Sequence, residues 1–301
     1  MVPTLAGVIL LIFFLFRAFG GDPAEILAGQ VASAEQIEAI RRELGLDRPW
    51  TAQLWIFVRG ILAFDFGRSW ITREAVSDIF LTRLPATLTI TIPIVLLEVF
   101  LALPIAMLVA YFRGSLLDRL ATALSVGAMS VSFLVYIIVG QYLLAFEWGL
   151  FPVQGWGDSA WKNLLTYAPL PVLLAALVSL APQIRLYRSF FLDETKADYV
   201  RTARAKGLSE PAIMAKHVLR NAMIPVLTNV ALLLPGVFAG SFLLEIFFSI
   251  PGLGREVYLA VNRSDYPVIQ AFTVYLAVLT MLVNLAADVL YRLVDPRIQF
   301  R

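Results

Sequence analysis

Residues 193–225 read DETKADYVRTARAKGLSEPAIMAKHVLRNAMIP, a polar stretch set between two long apolar runs. The pattern predicts a short helix over 198–206, a turn at Gly207 and a second helix opened by Ser209. Ser209 suits an N-cap, and Glu210 and Pro211 suit the first turn that follows it. Eight basic residues lie between Arg185 and Arg220: Arg185, Arg188, Lys196, Arg201, Arg204, Lys206, Lys216 and Arg220. Such a segment is too polar for lipid and too regularly patterned for a slack linker. It is the helical elbow of a membrane protein, placed where a soluble partner can grip it.

The flanking sequence supplies the membrane. Hydrophobic residues make up 59% of the 301 residues and charged residues 15%, and the mean hydropathy is +0.79. Soluble domains carry about 25% charge, so the apolar excess faces lipid. Six spans are predicted, at 2–19, 86–112, 118–146, 167–190, 222–247 and 269–294, each near the ~20 residues that cross a bilayer core. The first is read as a span and not a signal peptide, having no basic leader and no small-residue cleavage site. Alternation of the outer-membrane-barrel type is absent. The fold class is all-α.

Positive charge sets the orientation. With the N-terminus inside, Arg113, Arg119, the eight residues of the elbow region, Arg292, Arg297 and Arg301 are cytoplasmic. The two short external loops then hold only Lys162, Arg255 and Arg263. Both termini are expected in the cytoplasm. This bias accounts for the net charge of +2, and nucleic acid is not an expected partner.

The chain reads as one membrane domain, 1–301, with two decorations: an external helical region at 20–85 and the cytoplasmic loop at 191–221. Helices are expected at 33–45 and 50–64. Ile37, Ile40 and Leu44 give the first an apolar face, and Trp50, Trp55 and Trp70 suit the water–lipid boundary.

Signatures of chemistry are sparse. There is one His and no Cys, no cluster with metal-ligand spacing and no G-x-x-x-x-G-K-[ST] loop for phosphate. His217, beside Lys216, reads as a surface residue. The chain is not expected to be an enzyme or to hold a cofactor. Polar residues inside the spans are candidates for a solvated pathway or for bonds between helices, because an ionisable group facing lipid costs roughly 3 kcal/mol. Glu98, Gln141 and Asn229 are the pathway candidates; Gln183, Glu245 and Asn284 are also intramembrane. Asp288 and Arg292 are spaced to pair. Pro225 and Pro235 interrupt the hydrogen-bond ladder of the fifth span and predict bends there.

The segment YVRTARAKGLS at 199–209, followed by KHVLRNAMIPV at 216–226, resembles the cytoplasmic loop of ABC-importer permease subunits of the dipeptide, oligopeptide and nickel type. The likeness extends along the chain through GDPA at 21–24, RRELGLDRP at 41–49, FDFGRS at 64–69, RLPATLTIT at 83–91, FFSIPGLG at 247–254, SDYPVIQ at 264–270 and YRLVDPRI at 291–298. One departure is that Met1 sits at the membrane edge, where the family carries a basic stretch.

The resemblance implies a permease in the bacterial inner membrane. Its expected partners are a second, similar permease, two ATP-binding subunits that hold ATP and Mg, and an external substrate-binding protein. The implied coupling residues are Tyr199, Arg201, Thr202, Ala203, Arg204, Ala205, Lys206 and Gly207. Phe247, Phe248, Pro251, Gly252, Leu253 and Gly254 are too apolar for a free aqueous loop and are expected to form an external gate. The implied substrates are short peptides, with nickel complexes or sugars as relatives' cargoes. The alternative is a self-sufficient secondary carrier or channel, against which stand the elbow and the lack of an inverted repeat.

Overall fold

The computed structural model describes residues 2–19, 22–28 and 33–294, with side chains described as far as residue 286. Helices follow one another along it: α1 (Val2–Phe19), α2 (Pro23–Ala28), α3 (Ala34–Glu43), α4 (Trp50–Leu62), α5 (Val76–Tyr111), α6 (Leu116–Met129), α7 (Phe133–Gly140), α8 (Ala160–Lys162), α9 (Pro169–Glu194), α10 (Asp198–Ala205), α11 (Glu210–Ile213), α12 (Leu219–Ala239), α13 (Phe242–Phe247), α14 (Leu253–Asn262) and α15 (Tyr266–Val294). Wider π turns extend α7 through Gln141–Glu147, α8 through Asn163–Tyr167 and α11 through Met214–Val218. Among the described residues there is no strand, only an isolated bridge between Arg68 and Ala75.

Among the described residues four helices are long and apolar enough to cross a membrane: Val76–Tyr111, Pro169–Glu194, Glu210–Phe247 and Tyr266–Ala286. The expected third span is not one straight helix. Leu116–Met129 and Phe133–Glu147 meet at 88°, so each arm is shorter than a crossing requires. The break falls at Ser130–Val131–Ser132. The Ser130 hydroxyl donates back to the Val126 carbonyl at 2.8 Å, and Ser132 takes an extended backbone as the cap of α7. Serine competing for backbone bonds is a familiar cause of such a stop. Counted as one broken span, the pair brings the total to five; α1 has a shorter apolar stretch, Pro3–Arg17.

The second span begins ten residues before the expected position 86. Val76, Ile79 and Phe80 recur at helical spacing, and Val76 and Ile79 are buried in a cluster with Ala260, Val268 and Ala271. That apolar stripe extends α5 through Asp78 and Arg83. Pro225 and Pro235 both lie inside α12, which is continuous through them. The expected pairing of Asp288 with Arg292 lies outside the described side chains.

The chain groups into two compact units, one of Met1–Ala86 with Pro251–Leu282 and the other of Thr87–Ile250 with Val283–Arg301. In the first, α3 starts at a capping box between Ser33 and Gln36, and Arg41 pairs with Asp22. Burial opposes ionisation of Asp22, but the bonds from Arg41 and the Ala24 N–H, together with the charges of Arg41 and Arg17, hold the carboxyl below its usual value. Two distant motifs of the sequence meet here. The buried Asp265 carboxylate of SDYP accepts from the Ser69 hydroxyl and from the Trp70 backbone N–H of the stretch after FDFG, the latter at 3.0 Å. In the second unit α9 is the hub, with α6, α7 and α12 packed on it. Tyr187 and Phe191 of α9 are fully buried among Ala102 and Ala106 of α5 and Ala222 and Val226 of α12. Small residues on both neighbours, Ala102, Ala106 and Ala222, let the rings fill the gap, the close packing that holds helices together inside a bilayer.

Candidate functional site

The elbow is built as its sequence predicts. α10 begins after Ala197, whose backbone is extended, with Asp198 in the first turn, where a carboxylate favours the helix N-terminus. It ends in a Schellman turn: the Gly207 N–H donates to the Arg204 carbonyl at 2.9 Å and the Leu208 N–H to the Ala203 carbonyl at 3.3 Å. Gly207 stands at φ +78, which a residue without a Cβ adopts freely. Ser209 then caps α11 with extended backbone.

One face of α10 is sealed. Val200 and Ala203, three apart, are buried with Phe191, Ile213 and Met214. Tyr199 is half-buried, and its hydroxyl donates to the Glu194 carboxylate. Burial, then that bond, pushes the phenol up to about 12. The opposite face, Arg201, Thr202, Ala205 and Lys206, is exposed. Ala203 therefore packs inward, which leaves Ala205 as the small residue on the outer face.

The charges have distinct surroundings. Arg204 holds Glu210 across the turn with two bonds, at 2.6 and 3.1 Å, and so braces the corner. Arg201 reaches Asp198 at 3.3 Å on an exposed surface, a contact worth a few tenths of a kcal/mol. Lys206 has no ion-pair partner among the described residues.

The apolar segment at 247–254 is largely buried: Phe248, Ile250, Leu253 and Gly254 are all inaccessible or nearly so, while Phe247 and Pro251 are half-buried and Gly252 is buried. Its first half is clasped by a loop. The Gly155 N–H donates to the Phe248 carbonyl at 3.1 Å, and Ser249, at φ +56, donates its hydroxyl to Gln154.

Gln141 belongs to this clasp. Its side-chain amide donates to the backbone carbonyls of Val153 and Phe247, both at 3.0 Å. The other two pathway candidates converge on α9 instead. Glu98 is 4% exposed and lies beside Ser179 and Gln183 of α9. Asn229 Oδ1 accepts from the Tyr187 hydroxyl at 3.1 Å. Glu98 Oε1 and Gln183 Oε1 are buried without a protein partner.

Sequence reading missed two further features. Arg188, counted only as inside bias, forms a two-pronged pair with Asp118, both bonds 2.8 Å, and the Gly114 N–H donates to the same carboxylate. Seventy residues separate the partners, so spacing gave no signal. Glu245, counted only as an intramembrane polar residue, is completely buried and accepts from the Thr87 hydroxyl at 3.0 Å.

Comparison with known proteins places this architecture. The family model described as binding-protein-dependent transport system inner membrane component matches residues 102–300, and the one for the N-terminal part of such membrane components matches residues 2–91. The glutathione transport system permease proteins GsiC of Escherichia coli (strain K12) and of Salmonella typhimurium are each 36% identical over 301 residues, covering 100% of this chain and 96% of theirs. A solved structure of the MetNI methionine ABC transporter in an inward-facing conformation has the same fold, with TM-score 0.56 at 18% identity, over 73% of this chain and 97% of that one. The chain belongs to the inner-membrane permease family of binding-protein-dependent ABC importers, in its dipeptide/oligopeptide branch.

Proposed function

We propose that this permease forms one half of a translocation path for short peptides, delivered by an external binding protein and driven by ATP hydrolysis in separate subunits. The second half of the path is a similar permease, and each permease docks one ATP-binding subunit. Both termini face the cytoplasm, six helical segments embed the chain with α1 as the first, and the elbow lies on the ATPase side.

The observation that carries the coupling role is the two-sided character of α10. Val200 and Ala203 fix it to the bundle, while Arg201, Thr202, Ala205 and Lys206 lie exposed on a helix whose end is locked at Gly207. A rigid, cationic, small-residue face outside the membrane fits a groove lined with carboxylates. A force on that face is then delivered to the bundle through buried side chains. The glutathione permeases support the substrate class, since glutathione is a tripeptide. Phe247 and Phe248, held by Gln141 and Gly155, are assigned to closing the path from outside in the resting state.

The test is co-purification with the ATP-binding subunits, wild type against Arg201→Glu with Lys206→Glu. The variant is expected at normal membrane level, with ATPase-subunit retention and peptide uptake both lost. Full retention and uptake in the variant would remove α10 as the docking element.

A further inference from the structure

The first unit contains a cleft of about 650 Å3, within the ~300–1,000 Å3 of small-ligand sites. It is walled by the end of α1, by α4 and by the start of α15. We infer that this cleft binds an anionic phospholipid of the outer leaflet, its phosphate held by Arg17 and Arg59 and its acyl chain lying along Phe13, Trp55 and Trp70. The leaflet assignment rests on the proposed orientation; the chemistry of the site does not.

Three observations converge on that occupant. First, the cleft lies where apolar α1 ends and the apolar helix α15 begins. That is the level at which acyl chains give way to headgroups, and aromatic side chains favour it.

Second, α4 has an outer surface suited to lipid. Trp55 is 65% exposed and Leu62 74% exposed, with Ile56 beside them, on a helix whose only charged residue is Arg59. Water would penalise that face, whereas an interfacial helix buries it in the boundary region.

Third, the charge in the cleft is positive and uncommitted. Among the described residues neither Arg17 nor Arg59 is in ion-pair contact with a carboxylate. Arg17 lies over the Trp50 ring at 5.9 Å. Asp22, which also feels its charge, is bonded to Arg41. The one acidic residue of the lining, Asp65, accepts from the Gly67 N–H at 3.0 Å in its own turn. Two guanidiniums beside an apolar, aromatic wall match a phosphate attached to a hydrocarbon chain. A headgroup that carries its own ammonium would match them less well.

The test uses the complete transporter, purified with its ATP-binding subunits from nanodiscs of equal phosphatidylglycerol and phosphatidylcholine. The lipid retained after mild delipidation is read by native mass spectrometry. Wild type is expected to keep phosphatidylglycerol in preference. Arg17→Gln with Arg59→Gln is expected to lower that retention roughly 30-fold, at about fivefold for each cation near an anionic surface. Thermal melting of the double variant reports folding, and Trp55→Phe, which keeps both charges, should weaken quenching by phosphatidylglycerol brominated on its acyl chains. The lipid readout needs no ATP, peptide or binding protein, so failure here is separable from failure of the coupling assignment. Equal retention of both lipids by wild type, or unchanged retention in a well-folded double variant, overturns the inference. A double variant that loses stimulation by the binding protein yet keeps its phosphatidylglycerol makes the cleft a protein dock and overturns it as well.

Discussion

Replacing Gly207 gives a graded test of the elbow, because the structure separates backbone strain from steric clash. Nothing stands within 4 Å of the place a Cβ would occupy, so Gly207→Ala meets no neighbour. Its cost is the left-handed backbone alone, about 1–2 kcal/mol. That corresponds to a factor of roughly 5–30 in the fraction of elbows holding the native turn. Asn tolerates this conformation better and should stay near wild type. Gly207→Pro cannot adopt φ +78, its ring fixing φ near −65°, and it also loses the N–H that donates to the Arg204 carbonyl. The assay is peptide uptake and binding-protein-stimulated ATPase activity in reconstituted complexes, normalised to permease content. Coupling should fall in the order Gly, Asn, Ala, Pro, while insertion stays constant because the turn lies outside the apolar spans. Wild-type coupling in the proline variant would refute the idea that the turn's geometry transmits force.

Three other perturbations follow from the contacts. Arg188→Met should destabilise by about 3 kcal/mol by stranding the buried Asp118 carboxylate, and adding Asp118→Leu should restore much of that loss; additive losses in a thermal-melting cycle would show that the pair is not a unit. Gln141→Ala removes the clasp on the Phe247 carbonyl and is expected to raise ATPase activity without binding protein or to admit peptide leakily, whereas unchanged values in an assembled complex would make 247–254 a passive plug. Cysteines at positions 40 and 160 should react with an impermeant reagent from outside and one at 208 only from inside, a clean assay in a chain with no native Cys; external labelling of 208 would overturn the orientation.

What the sequence made legible was local. The elbow's two helices, the turn at Gly207 and the helices at 34–43 and 50–62 follow from capping residues, glycine and apolar spacing, all of which act within a few residues. The break at Ser130–Ser132 was hidden because a hydropathy window averages across three residues that are only mildly polar. The start of α5 was hidden for the opposite reason. Asp78 and Arg83 look like loop residues until the stripe of Val76 and Ile79 finds its partners on α14 and α15. Long-range pairs such as Asp118 with Arg188 or Ser69 with Asp265 leave no trace in spacing at all. Even within the candidate site, sequence could name Arg201, Arg204 and Lys206 but could not sort them. The bond to Glu210 makes Arg204 a brace of the corner and leaves the outer face to the other two.

That sorting bears on how a movement at the elbow reaches the bundle. An exposed helix held by surface ion pairs alone would yield before it pushed, since such pairs contribute at most about 1 kcal/mol each. α10 is held instead by Val200 and Ala203 within a cluster that includes Phe191 and Tyr187 of α9, and close-packed interiors transmit displacement instead of absorbing it. The same cluster takes in Ile213, Met214 and Val218, which lead directly into α12. α9 and α12 are joined again one layer deeper, where the Tyr187 hydroxyl meets Asn229. A load on the outer face of α10 is therefore shared by two helices at once. Pro225 and Pro235 each remove a backbone donor from α12, so the second of those helices is also the more compliant. Bending, if it accompanies transport, should concentrate between those prolines and leave the packed base around Phe191 intact.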